Sequence, residues 1–167
     1  MRPSAHSKKE VKDVNDAPVL ICYDGTDDAR GMIEGAAAVL GPRRAIVLQV
    51  EPTLTLAESF ATLSSGVPGN EMEDLNEAEA LDHAQAGADL ARRAGFDAEA
   101  RGTVAPTTGS GIVDVADEVD ASVIVISRGV TGFRELLEGS VTRDVADHTG
   151  RPVLVVPSRK GAGQSRG

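Results

Sequence analysis

Residues 120–157 read DASVIVISRGVTGFRELLEGSVTRDVADHTGRPVLVVP. The run SVIVI (122–126) is almost wholly β-branched, and PVLVV (152–156) is a second apolar run. Neither alternates between apolar and polar residues. That is the pattern of strands buried on both faces, and hence of a parallel sheet. Between them Val141 and Val145, with His148 on the same side, keep a helical spacing that stops near Gly150-Arg151-Pro152. Strand, glycine-rich loop, helix and strand make a βαβ unit, whose crossover is right-handed.

Working towards the N-terminus, the same alternation repeats. VLICY (19–23) and AIVLQV (45–50) read as further buried strands, and DAEARGTV (97–104) alternates only weakly, as an edge strand does. Ala29, Met32, Ile33, Ala36, Ala37 and Leu40 share one helical face, with Asp27 as cap and Gly41-Pro42 as stop. Leu75, Ala78, Leu81, Ala84, Ala88 and Ala91 form a second stripe ended by Gly95, and Ile112, Val115, Ala116 and Val119 a third. Five strands alternating with four helices predict an α/β fold, an open doubly wound five-stranded parallel sheet with helices on both faces. Residues 1–16 (polar and aperiodic) read as a disordered arm, 17–157 as the domain, and 158–167 (SRKGAGQSRG) as a flexible tail. The irregular stretch 53–70 reads as a long loop of the kind that often carries function.

Composition narrows the function. Hydrophobic residues make up 41% of the 167, enough for one core, but only 2% are aromatic, so that core is aliphatic. The formal net charge of -9 disfavours nucleic acid and anionic membrane surfaces as partners, because both need clustered Lys and Arg. It leaves room for a small anionic ligand held by backbone N–H groups. No apolar stretch has the ~18 residues of a membrane span, and the polar N-terminus lacks a signal-peptide core. Both readings point to the cytoplasm. The single Cys22 lies in an apolar run, as a small buried hydrophobe does.

In a doubly wound sheet, ligands bind beyond the carboxyl ends of the strands where strand order reverses. Two loops there carry polar chemistry. After the first strand comes Asp24-Gly25-Thr26, where the carboxylate either accepts hydrogen bonds from ribose hydroxyls or fastens a turn. After the fourth comes Ser127-Arg128-Gly129, continuing through Gly132 to Gly139-Ser140 at the start of a helix. Glycines there allow close backbone approach, and a helix N-terminus favours a phosphate.

VLICYDGTDDARGMIEGAAAVL (19–40) resembles the opening strand and helix of the universal stress protein family, and residues 120–157 resemble its closing half. The resemblance covers 17–157. It implies strand order 3-2-1-4-5, with the pocket between strands one and four. It also implies roles by position. Asp24 would hold ribose or adenine, and the backbone of Val50 would meet the adenine edge. Ser127, Arg128, Gly129 and Gly132 would wrap the phosphates, and Gly139, Ser140 and Val141 would complete the cradle. In the nucleotide-binding branch a glycine stands three residues before the position of Gly129. Here that residue is Ile126. Either its side chain crowds the phosphate end, or it is a core residue of a strand one residue shorter.

The implied function is a stress-related regulatory module that binds ATP, or ADP or AMP, with little or no turnover and with Mg2+ only as the nucleotide's counter-ion. The alternative is a stress-related interaction module that binds no nucleotide. A homodimer through Val153 to Val156 follows from both the resemblance and the apolar edge such a strand would present. Catalysis has little to work with. His6, His83 and His148 lie far apart, no G-x-S-x-G elbow or Walker loop occurs, and Cys22 has no evident base, so a slow ATPase is the most the residues predict. Gly109-Ser110-Gly111 reads as a helix start rather than a further phosphate loop, and the acids at 71–79 as a solvated helix face.

Overall fold

The computed structural model describes residues 16–53, 69–128 and 141–157, with side chains in the second helix from residue 76 onward. In chain order the elements are β1 (Val19–Cys22), α1 (Asp27–Leu40), β2 (Arg44–Pro52), α2 (Gly69–Arg93), β3 (Asp97–Ala105), α3 (Thr108–Glu118), β4 (Val123–Ser127), α4 (Val141–His148) and β5 (Val153–Val156). The strands form one parallel sheet in the order β3-β2-β1-β4-β5, the order that the family resemblance implies. The weakly alternating third strand does lie at an edge.

Alternation along the strands divides the core in two. Val19, Ile21, Val47 and Val125 meet α1 and α2 through Met32, Ile33, Ala88 and Ala91. Leu20, Leu48, Ile124 and Ile126 meet α3 and α4 through Ile112, Val115 and Val145. Among the described residues no polar or charged residue is fully buried. The sheet is therefore held by aliphatic burial on both faces, at roughly 25 cal/mol per Å² of apolar surface removed from water.

Two helices depart from the expected detail. Helix α1 is capped by Thr26, not Asp27: Thr26 keeps an extended backbone and its side chain accepts from the Ala29 N–H at 3.2 Å. Asp27 is already helical, and with Asp28 it stabilises the first turn through the helix dipole. Helix α2 buries Ala80, Ala84, Gly87, Ala88 and Ala91, while Ala78 is exposed and Leu81 is 45% exposed. The cause lies in β3. A Cβ on Gly102 would stand 2.8 Å from the carbonyl carbon of Ala80 and from the carbonyl oxygen of Glu77. The helix backbone rests directly on that glycine, so the face it presents to the sheet is made of small residues, and the larger Leu81 turns outward.

Candidate functional site

The strands end at different heights, and this makes a notch. Pairing of β1 with β2 stops at Cys22–Leu48, and pairing of β1 with β4 stops at Ile21–Val125. Strand β2 runs four residues further, to Pro52, and β4 two further, to Ser127. The gap lies above the end of β1, at the point where strand order reverses.

Backbone groups line both walls. The Tyr23 N–H donates to the Leu48 C=O at 2.8 Å, so Leu48 points its backbone polar groups towards β1. By strand alternation Val50, two residues on, points its N–H and C=O to the same side, where β1 has ended. On the other wall the Ile124 and Arg128 N–H groups donate to the carbonyl oxygens of Pro152, just before β5, and of Val156, its last residue. Ser127, of opposite parity, therefore points its N–H and C=O towards β1. Val50 and Ser127 face each other across the notch.

The floor is Tyr23 and Asp24. Tyr23 is buried, and a Cβ on Gly87 would stand 2.7 Å from its ring, so α2 fixes it tightly. Asp24 is exposed, and its Oδ1 accepts from the Thr26 N–H at 3.0 Å and from the Thr26 hydroxyl at 2.6 Å. The turn-forming reading is thus correct for one oxygen. Among the described residues no donor is bonded to Oδ2, and the exposure of Asp24 leaves that oxygen accessible to a further one. Gly25 completes the turn with φ +78.

Among the sequence-derived site residues, Asp24, Val50, Ser127 and Arg128 come together at the carboxyl ends of β1, β2 and β4. Val141 opens α4 and is 38% exposed, outside the core stripe in which the periodicity places it. Gly129, Gly132, Gly139 and Ser140 lie outside the described residues, as do 54–68 of the long loop; Gly69 and Asn70 belong to α2. Ile126 is 6% exposed and belongs to the core under α3 and α4. Tyr23 was not singled out from sequence, although its being the only tyrosine in the chain and the neighbour of Asp24 was a usable signal.

Cys22 sits behind this floor. Cys22 is half-buried, and loss of hydration pushes its thiol up to about 12, so it stays protonated near neutral pH. His148 is exposed on the last turn of α4, with Nδ1 2.8 Å from the Asp144 carbonyl oxygen. Among the described residues no three His, Cys, Asp or Glu side chains gather as metal ligands, and no helix is long and apolar enough to cross a membrane.

A doubly wound parallel sheet with its open notch at the switch point defines a class of α/β proteins that bind small ligands beyond their strand ends. The model of the universal stress protein family matches residues 17–157, and the chain belongs to that family. Among solved structures it is similar to a universal stress protein in complex with cAMP (23% identity, TM-score 0.58, covering 86% of this chain and 98% of that one). It is also similar to the universal stress protein from Archaeoglobus fulgidus in complex with dAMP (25% identity, TM-score 0.56, covering 83% and 96%). A third is the hypothetical protein MJ0577, whose biochemical function was assigned from its structure (22% identity, TM-score 0.66, covering 88% and 99%). No curated protein matches the chain.

Proposed function

We propose that the chain is a stress-related regulatory module that binds ATP or another adenine nucleotide in the notch above β1, with little or no turnover. The observation that carries this is the open backbone of Val50. It offers a donor and an acceptor on a strand edge, which suits a purine's pairing of an amino group with ring nitrogens. The second carboxylate oxygen of the exposed Asp24 suits a ribose hydroxyl. Ser127, Arg128, Gly129 and Gly132, then Gly139, Ser140 and Val141, are the residues for the phosphates, with Mg2+ as counter-ion only. Two similar structures hold cAMP and dAMP, which supports an adenine ligand of this size. We also propose a homodimer through β5, whose free edge carries Val155, 39% exposed.

The test is calorimetric titration with ATP, ADP and AMP. Micromolar binding, about -8 kcal/mol, is expected, and Asp24→Ala should weaken it while the fold persists. Absence of both heat and thermal shift at millimolar ligand would remove the nucleotide reading in favour of an interaction module.

A further inference from the structure

We infer that the Gly109-Ser110-Gly111 turn fixes the spacing between Val50 and the start of α4, the two ends between which a nucleotide would lie. Its consequence for ligands rests on the nucleotide reading above; the spacing itself does not.

The turn is not a further phosphate loop, because its polar groups are used internally. Thr107 caps α3, and its Oγ1 accepts from the Ser110 N–H at 3.1 Å. The Ser110 hydroxyl in turn accepts from the Thr107 N–H at 3.3 Å, closing a capping box. What remains is the pair of glycines on either side of Ser110, both buried. Two residues apart on a helix they face about 200° apart, so they meet different neighbours.

Gly111 meets the sheet. A Cβ there would stand 2.7 Å from Val50 Cγ1 and 2.8 Å from Ala105 Cβ. Gly109 meets α4. A Cβ there would stand 2.7 Å from Asp144 Cγ and 3.1 Å from Asp144 Cβ, with Oδ2 nearer still. The Asp144 carboxylate thus rests on the first turn of α3, where the dipole favours negative charge. Its other oxygen, Oδ1, is 3.2 Å from His148 Nδ1 on the same helix. Helix α4 begins three residues before Asp144, at Val141, directly after Gly139-Ser140. One turn of helix therefore abuts the Val50 wall on one side and the α4 docking residue on the other. A side chain at Gly111 must displace Val50 or Ala105, and one at Gly109 must turn the Asp144 carboxylate aside and press on the Asp144 Cβ, which at 3.1 Å has only a few tenths of an ångström to give.

Adenosine and ATP separate the two ends, since adenosine would use only the Val50 and Asp24 side. In Gly109→Ala, titration of the full chain should show ATP affinity reduced on the order of tenfold and adenosine affinity unchanged. In Gly111→Ala both should fall together. In the double variant Gly109→Ala with Asp144→Ala, ATP affinity should recover, because the carboxylate that the new methyl meets is gone. Without any ligand, amide hydrogen exchange over residues 141–148 should be faster in Gly109→Ala and return to the parent rate in the double variant. Unchanged exchange in Gly109→Ala overturns the inference. So does an equal loss of adenosine and ATP affinity in Gly109→Ala without recovery in the double variant. A parent chain that binds neither ligand sinks the nucleotide reading alone, and the exchange rates then decide the spacing.

Discussion

Ile126 shows how one residue carries two opposed readings until its burial is known. It stands three residues before Gly129, where the family pattern has a glycine, and its side chain lies in the core under α3 and α4. Ile126→Gly should therefore lower stability by about 2–5 kcal/mol, as truncation of a packed side chain does. Urea denaturation measures this, and tighter ATP binding with almost unchanged stability would revive the crowding reading. Cys22 makes a second case. Burial pushes its folded thiol up to about 12, well above the range of an unfolded cysteine. A raised folded value leaves stability intact below the unfolded pKa. From about pH 9 upward the unfolded chain loses a proton that the folded chain keeps, so stability falls with rising pH. Melting curves across that range should show a steeper loss for the parent chain than for Cys22→Ala.

Among the elements, β5 is the one whose surroundings are incomplete. Leu154 and Val156 pack under α1, whereas Val155 is on the opposite face and substantially exposed at the sheet edge. An apolar edge strand invites pairing with another chain. Val155→Lys should convert the dimer to monomer by light scattering while leaving the fold intact. A parent chain that is already monomeric refutes the dimer. The strands were legible in the sequence because buried parallel strands are continuous apolar runs, with the weakly alternating β3 at the edge as the exception, and all five fall within a residue or two of their observed bounds. Helix faces were less legible. In α2, alanines occur on every side, so the period alone could not select Ala80 over Ala78; the decision belongs to Gly102, on a strand distant in sequence. The start of α1 was misread for a related reason, since Thr26 and Asp27 are both good caps and only backbone geometry separates them.

At the scale of the molecule, the position of the notch was legible once the strand order was in hand, because Asp24 and Ser127 end neighbouring strands. The facing backbone groups of Val50 and Ser127 were not, because register and the unequal strand ends are properties of the assembled sheet. Ligand that binds only the folded chain should stabilise it by mass action, about 2.7 kcal/mol at a hundredfold excess over Kd. For a chain of this size that is a rise in Tm of roughly 5–10 °C. ATP that binds by calorimetry without moving Tm would indicate attachment to the unfolded chain as well. The near absence of aromatic residues has a practical use. With no tryptophan and a single tyrosine, every photon of intrinsic ultraviolet emission above the phenylalanine background comes from Tyr23, the buried residue at the floor of the notch. The protein thus carries a built-in optical reporter whose quantum yield samples the strand end beside Asp24, with no dye or engineered label.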